Sequence, residues 1–306
     1  NTDWWNLLIK DGAFSQRHTL TLDGGSEDTQ YRMSFMVYDQ GSLQKHVAGT
    51  NSPLDYKTYS MDLNLIHNFR KAGIKLGLDI RPYLVDNKSY GNGSVWNNTT
   101  GVQQLSPLDK VYNTNGTYAP NSPMALYADT DGSYAKKFNF GTDINLNLDW
   151  DIRWVKGLKG VFWGNYRLGS SRDKYWTRYV PTYNEDGTTV TTTKPSLSEV
   201  QGYSWTYEFN AGLKYDTSFD KHSLSLGLFY NQRENYYETV TGKRIDYYTN
   251  IDQLFAGPTE GQTNSGSAGE GGRLGYVGTL NYDYAGKYLL SASFRYDGND
   301  GFAEGS

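Results

Sequence analysis

Between Arg273 and Gly298 the chain alternates in twos. Leu274, Tyr276, Gly278, Leu280, Tyr282 and Tyr284 fall on one face, and Arg273, Gly275, Val277, Thr279, Asn281 and Asp283 on the other. Ala285, Gly286 and Lys287 make a turn, after which Tyr288, Leu290, Ala292, Phe294 and Tyr296 oppose Leu289, Ser291, Ser293, Arg295 and Asp297. Side chains alternate across a strand, so this stretch is a β-hairpin with one greasy and one polar face. Each arm is about ten residues, close to the ~9–11 that a tilted strand needs to cross a bilayer. Tyrosines stand at the ends of the apolar faces, where membrane-interface aromatics gather.

The rest of the chain repeats this pattern. Leu20 and Leu22 oppose Thr19 and Thr21 in a strand over about 16–23. Tyr31, Met33, Phe35 and Val37 mark a second, over 29–38. Tyr59, Met61, Leu63 and Leu65 mark a third, and Ile74, Leu76, Leu78 and Ile80 a fourth that Pro82 is expected to end, because proline has no donor. The cleanest alternation sets Ile144, Leu146, Leu148 and Trp150 against Asp143, Asn145, Asn147 and Asp149. A sixth strand over 160–168 is ambiguous. Phe162, Tyr166 and Leu168 are taken as its apolar face, which puts Asn165 and Arg167 with the polar residues despite Val161 and Trp163. Trp205, Tyr207, Phe209, Ala211, Leu213 and Tyr215 define a seventh, and Leu224, Leu226, Leu228 and Tyr230 an eighth. Residues 1–14 read as a loop with an amphipathic turn, and the glycine-rich 266–272 as the end of a loop.

The connections alternate strictly between short and long. In an up-and-down sheet, successive connections lie on opposite rims, so all short turns share one side and all long loops the other. That asymmetry belongs to outer-membrane barrels, with short periplasmic turns and long extracellular loops. No run of apolar residues is long enough for a transmembrane helix, and a mean hydropathy of −0.70 is compatible with a barrel, which hides its grease in alternation. The expected fold class is therefore all-β, an antiparallel up-and-down transmembrane β-barrel segment of about ten strands. Unpaired backbone in hydrocarbon costs several kcal/mol per group. With both ends on the long-loop side, the chain reads as a partial barrel domain, residues 1–306.

Both ends carry a family likeness. Residues 276–302, together with 1–5 and 15–43, resemble the SusC/RagA family of TonB-dependent outer-membrane transporters. The matching positions are Trp4, His18, Leu20, Gly24, Gly25, Tyr38, Asp39 and Gln40. Two positions depart from the family pattern: Gly41 comes one place early, and Asn299-Asp300 replace a Ser-Ser pair after Asp297-Gly298. The resemblance implies a 22-stranded barrel in which these strands look like the second to eleventh. It also implies a plug before Asn1, further strands after Ser306, an energising TonB complex and a SusD-like surface lipoprotein lid.

Chemistry in the residues themselves is sparse. Cysteine is absent, which excludes disulfides, thiolate metal sites and thiol nucleophiles. Net charge is −4, and no basic stripe points to nucleic acid. Asp79, Arg81, Asp143, Asn145, Asn147, Glu208, Asn210 and Arg295 read as a hydrated, lumen-facing set rather than acid–base pairs. The four histidines, His18, His46, His67 and His222, give no catalytic triad with loop serines. Asp129 to Gly132 resembles the start of a calcium loop but lacks its later ligands, and neither glycine-rich stretch continues as a P-loop. No cofactor, metal or catalytic residue is expected. Aromatics make up 15% of the chain. Those assigned to loops are the candidates for holding a ligand: Trp96, Tyr175, Trp176, Tyr179, Tyr236, Tyr237 and Tyr247, with Trp176 first. Such side chains stack on sugar rings or pack against peptide side chains. The expected activity is import of oligosaccharides or other nutrient oligomers through the outer membrane; the alternatives are an oligopeptide importer, a passive porin and a secreted glycan-binding β-protein.

Overall fold

The structure is a computed structural model and describes residues 1–43, 55–90, 106–120, 133–178, 181–190 and 194–301. A short helix, α1 (Trp4–Leu8), precedes ten strands: β1 (Ser15–Gly25), β2 (Thr29–Gln40), β3 (Asp55–Phe69), β4 (Ile74–Tyr90), β5 (Tyr134–Asp151), β6 (Leu158–Thr177), β7 (Ser196–Phe219), β8 (His222–Ile245), β9 (Thr263–Tyr284) and β10 (Tyr288–Asn299). They form one sheet in chain order, every neighbour antiparallel.

Each ladder keeps a constant register, so which face a residue occupies can be followed from strand to strand. One crosswise row runs Leu63–Ile80–Ile144–Tyr166–Tyr207. Its neighbour on the opposite face runs Asn64–Asp79–Asn145–Asn165–Glu208–Arg233–Arg273. The ambiguous sixth strand resolves in the expected sense: Phe162 lies beside Leu148 and Ala211, while Trp163 lies beside Asn147 and Asn210. Among the described residues, nothing covers the apolar face over the alternating part of the strands. Leu228 and Phe294 are each 68% exposed. The buried residues are instead few, among them Trp4, Trp176 and Leu197. A continuous greasy surface of this kind needs oil or a partner against it, so the apolar face is the outer face and the polar face the inner one.

The two rims differ as the spacing requires. Between paired strands lie 26–28, 70–73, 152–157, 220–221 and 285–287 on one rim, and 41–54, 91–133, 178–195 and 246–262 on the other. Gly157 shows how tight the short side is. Its φ is +86°, and a Cβ there would sit 1.9 Å from the Asp216 carbonyl oxygen; only glycine meets both conditions.

Strand ends are where the expectation needs correction. β4 continues through Pro82 to Tyr90. Proline interrupts only the β3 side, where the register passes from Ser60↔Tyr83 to Leu63↔Ile80, while Pro82 stays paired with Thr142 of β5. On the long-loop side β6, β7, β8 and β9 also run far past the alternating stretch, and residues 266–272 belong to β9 rather than to a loop. β7 and β8 have 24 residues each, more than twice what crossing a bilayer takes. Beyond the oil, backbone pairing still holds a strand together, but nothing demands a greasy outer face. The outer face accordingly turns polar at Lys57, Asp86, Lys136, Arg172, Gln232 and Glu270. At this boundary Tyr230 donates to Gln232 at 2.7 Å, and the Gln232 amide donates to Tyr207 at 3.1 Å and Glu234 at 2.6 Å.

The face assignment has a direct consequence. In the intact protein, Leu146→Arg puts a charge on the outer face near mid-depth and should cost about 2–4 kcal/mol in folding into lipid vesicles. Asn147→Arg, one residue on, should leave it nearly unchanged. Equal losses in a denaturant titration of the two variants would contradict the facing.

Candidate functional site: the inner face and the outer rim

Asp79, Arg81, Asp143, Asn145, Asn147, Glu208, Asn210 and Arg295 all lie on the inner face by register. Six of these eight are tied into short networks. Asn64 donates to Asp79 at 2.6 Å, Arg81 reaches Asp62 at 3.2 Å and Asp79 at 3.7 Å, and Arg167 donates to Asp143 at 2.7 Å. Asn165 donates to Asn145 at 2.9 Å, Arg273 lies 3.5 Å from Glu208, and Arg295 bonds Asp297 at 2.7 Å. Each acid has a base or an amide beside it, and most of these groups are open to solvent. This is a hydrated wall with its charges balanced in place.

The aromatic candidates divide. Trp96 and Tyr179 lie outside the described residues, as do His46 and Asp129 to Gly132. Tyr175, Trp176, Tyr236 and Tyr237 sit in strands β6 and β8 rather than in loops. The constant register then separates odd from even positions: Tyr175 and Tyr237 take the inner face, Trp176 and Tyr236 the outer. Tyr175 donates to Asp173 at 3.0 Å, with Lys137 Nζ 6.0 Å from its ring centre. Tyr236 donates to Glu238 at 2.8 Å.

Trp176, expected to be the leading ligand contact, is only 2% exposed. It forms a core with Leu197 and Tyr247, against which Tyr134, Leu254 and Ala256 pack. Trp176 and Tyr247 meet edge to face at 4.9 Å. Tyr134, Trp176, Leu197 and Arg244 form one outer-face row. The segment 246–262 therefore folds back onto the outer flank of the strand extensions. Arg244 donates to the Gly257 carbonyl at 2.6 Å, Lys174 lies 3.4 Å from Asp252, and Tyr134 donates to the same carboxylate. Burial, and then the Asp252 bond, push the Tyr134 phenol upward from its ordinary pKa. Sequence alone could not separate a loop aromatic that binds from one that anchors the loop.

A second structure on this rim went unread, although its signal is in the sequence. Tyr-Asn-x-x-Gly-Thr occurs twice, at Tyr112–Thr117 and Tyr183–Thr188. Both copies build the same turn: Asn113 and Asn184 amides donate to the carbonyls of Thr117 and Thr188 at 2.8 Å, and Gly116 and Gly187 both take φ of +84°. The turns dock on each other. Asn113 donates to the Tyr183 carbonyl at 2.7 Å, the Tyr183 amide to the Tyr118 carbonyl at 2.9 Å, and Lys110 meets Glu185 at 2.7 Å. Lys110 first, then the Thr114 amide, hold the Glu185 carboxyl down at about 2. From the other side, the α1 segment joins in: Trp4 donates to the Ser106 carbonyl at 2.8 Å and the Thr2 amide to the Pro107 carbonyl at 2.7 Å. Asp3 caps α1 by accepting from the Asn6 amide at 3.0 Å.

The sheet, its two unlike rims and its inverted sidedness define a wall segment of a transmembrane β-barrel. The comparisons place it more narrowly. TonB-dependent receptor P3 of Formosa agariphila is 24% identical, aligned over 99% of this chain and 30% of its own length. TonB-dependent receptor SusC of Bacteroides thetaiotaomicron is 20% identical over 99% of this chain and 31% of its own. No protein-family model matches. A solved structure of the RagAB peptide transporter superposes with a TM-score of 0.76 at 17% identity, covering 99% of this chain and 34% of that one. The SusC/RagA resemblance thus holds along the whole chain, which spans about a third of the length of the relatives it matches.

Two outcomes follow from the rim. Trp176→Ala empties a closed core and should cost about 3–5 kcal/mol locally, seen as faster hydrogen exchange and protease cleavage within 246–262 while β5–β8 stay protected lower down. Glu185 has a lowered pKa, so its contribution to the docked turns is complete above the unfolded carboxyl value, near 4.5, and disappears as pH falls through about 2. Glu185→Gln should release protease sites in 106–120 at neutral pH, and the wild type should do so only on acidification through that window.

Proposed function

We propose that this chain is part of the barrel wall of an outer-membrane, TonB-dependent importer of nutrient oligomers, with oligosaccharide as the solute. The observation that carries the reading is the pairing of an outward apolar face with one rim of turns and one of long, built loops, on a chain similar to TonB-dependent receptors from end to end. The wall does no covalent chemistry. Its charged inner face is wet, and its outer rim presents aromatic and amide groups to arriving solute. The edge strands β1 and β10 pair with further strands, since an open edge in oil is not sustained. A plug closes the bore until an inner-membrane TonB complex pulls on it, and a SusD-like surface lipoprotein covers the mouth.

Oligopeptide is the second reading, favoured by solved neighbours of this fold that are described as peptide importers. Glycan is preferred because the outer strands and loops are rich in Tyr, Trp and Asn. Uptake of labelled neutral oligosaccharide by cells carrying the whole receptor should stop when TonB is removed. Uptake that persists without TonB would identify a passive porin instead.

A further inference from the structure

High on the inner face, glycines and hydroxyls replace the charged rows. One row reads Tyr83–Gly141–Gly169–Ser204–Tyr237–Gly269 across β4 to β9. The next reads Val85–Asn139–Ser171–Gly202–Thr239–Ser267. Most residues of these rows line a shallow basin of about 350 Å³, at the small end of ligand sites, about 300–1,000 Å³. Four of its side chains lean over a neighbouring glycine. A Cβ on Gly141 would sit 2.6 Å from the Tyr83 ring, on Gly269 2.6 Å from the Tyr237 ring, on Gly169 2.9 Å from Ser204 Oγ and on Gly202 2.5 Å from Ser171 Oγ. The missing side chains let both phenol rings lie down against the sheet and keep the floor between them low. Tyr83 and Tyr237 remain 40% and 49% exposed.

We propose that this basin is a binding subsite for a short run of neutral sugar rings, since Tyr83 and Tyr237 stand four strands apart, about 19 Å at ~4.8 Å per step. The proposal rests on the import reading and gives its solute a place on the wall. Rings lying along a wall offer their faces to the C–H faces of a pyranose, and hydroxyl and amide groups between them meet its hydroxyls. The inner-face residues of the basin carry no charge. Glu238, the one charged residue in its lining, sits at an outer-face position and accepts from Tyr236 there. Charged rows flank the basin, with Arg81, Asp143 and Arg167 one row below and Lys137 and Asp173 one row above. An extended peptide finds less here. The floor's backbone groups are spent in the sheet ladders, so no strand can be added, and the basin's own inner-face side chains offer its termini no charge.

The test uses the whole receptor in detergent, with barrel assembly verified by heat-modifiable gel migration. Binding of neutral α-glucan, β-glucan and xylan oligosaccharides, and of a mixed oligopeptide pool, is read by calorimetry. At least one glycan should bind, and Tyr83→Ala and Tyr237→Ala should each weaken it about tenfold, in line with the loss of one stacking contact. Val240→Ala, at an outer-face position of the same wall, should leave it unchanged. Ser204→Val should weaken the glycan while leaving assembly intact. Glycan binding indifferent to Tyr83, Tyr237 and Ser204 overturns the subsite and leaves the import reading standing. Peptide binding that depends on these residues, with no glycan bound, overturns the sugar assignment. Absence of TonB-dependent uptake of any oligomer overturns the import reading separately.

Discussion

Backbone amides and carbonyls cannot be left unpaired in hydrocarbon, and that requirement governs the rest of the structure. It is met by nine ladders in constant register. Constant register fixes parity: once Ile144 faces out, Tyr166, Tyr207 and Tyr276 must as well. The inner face is then free to carry ionic groups, because water rather than oil lies against it. Even the exception obeys the rule, since Pro82 drops its bond on one side only.

The same requirement explains what the sequence made legible. Alternation is imposed wherever oil touches one face and water the other, so all ten strands, their order and their facing are readable from residues such as Leu146 and Asn147. Above the oil only the ladder remains, and the ladder has no side-chain signature. Residues 266–272 therefore read as a glycine-rich loop although they are strand, and Tyr236 and Tyr237 read as loop aromatics although they occupy opposite faces of β8. Among the candidate site residues, the charged inner set needed only parity. Trp176 needed a tertiary fact, the return of 246–262 onto the outer flank, that no spacing encodes. The paired Tyr-Asn-x-x-Gly-Thr turns show the reverse case, a legible repeat whose meaning comes only when the two copies touch.

Among the described residues, the outer rim holds two bodies with different logic. The turns around Asn113 and Asn184 are polar, held by backbone and carboxylate bonds, and joined to the start of the chain through Trp4. The flank core around Trp176 is aromatic and dry. The first depends on the charge of Glu185 and the second on packing. Acid and cavity-forming substitutions thus separate them.

The segment 246–262 hangs on the side of the wall and not across its opening. A flank-mounted segment can grow, shrink or change its chemistry without narrowing the passage. The residues that shape the flank at that point are different from those that line the inner face.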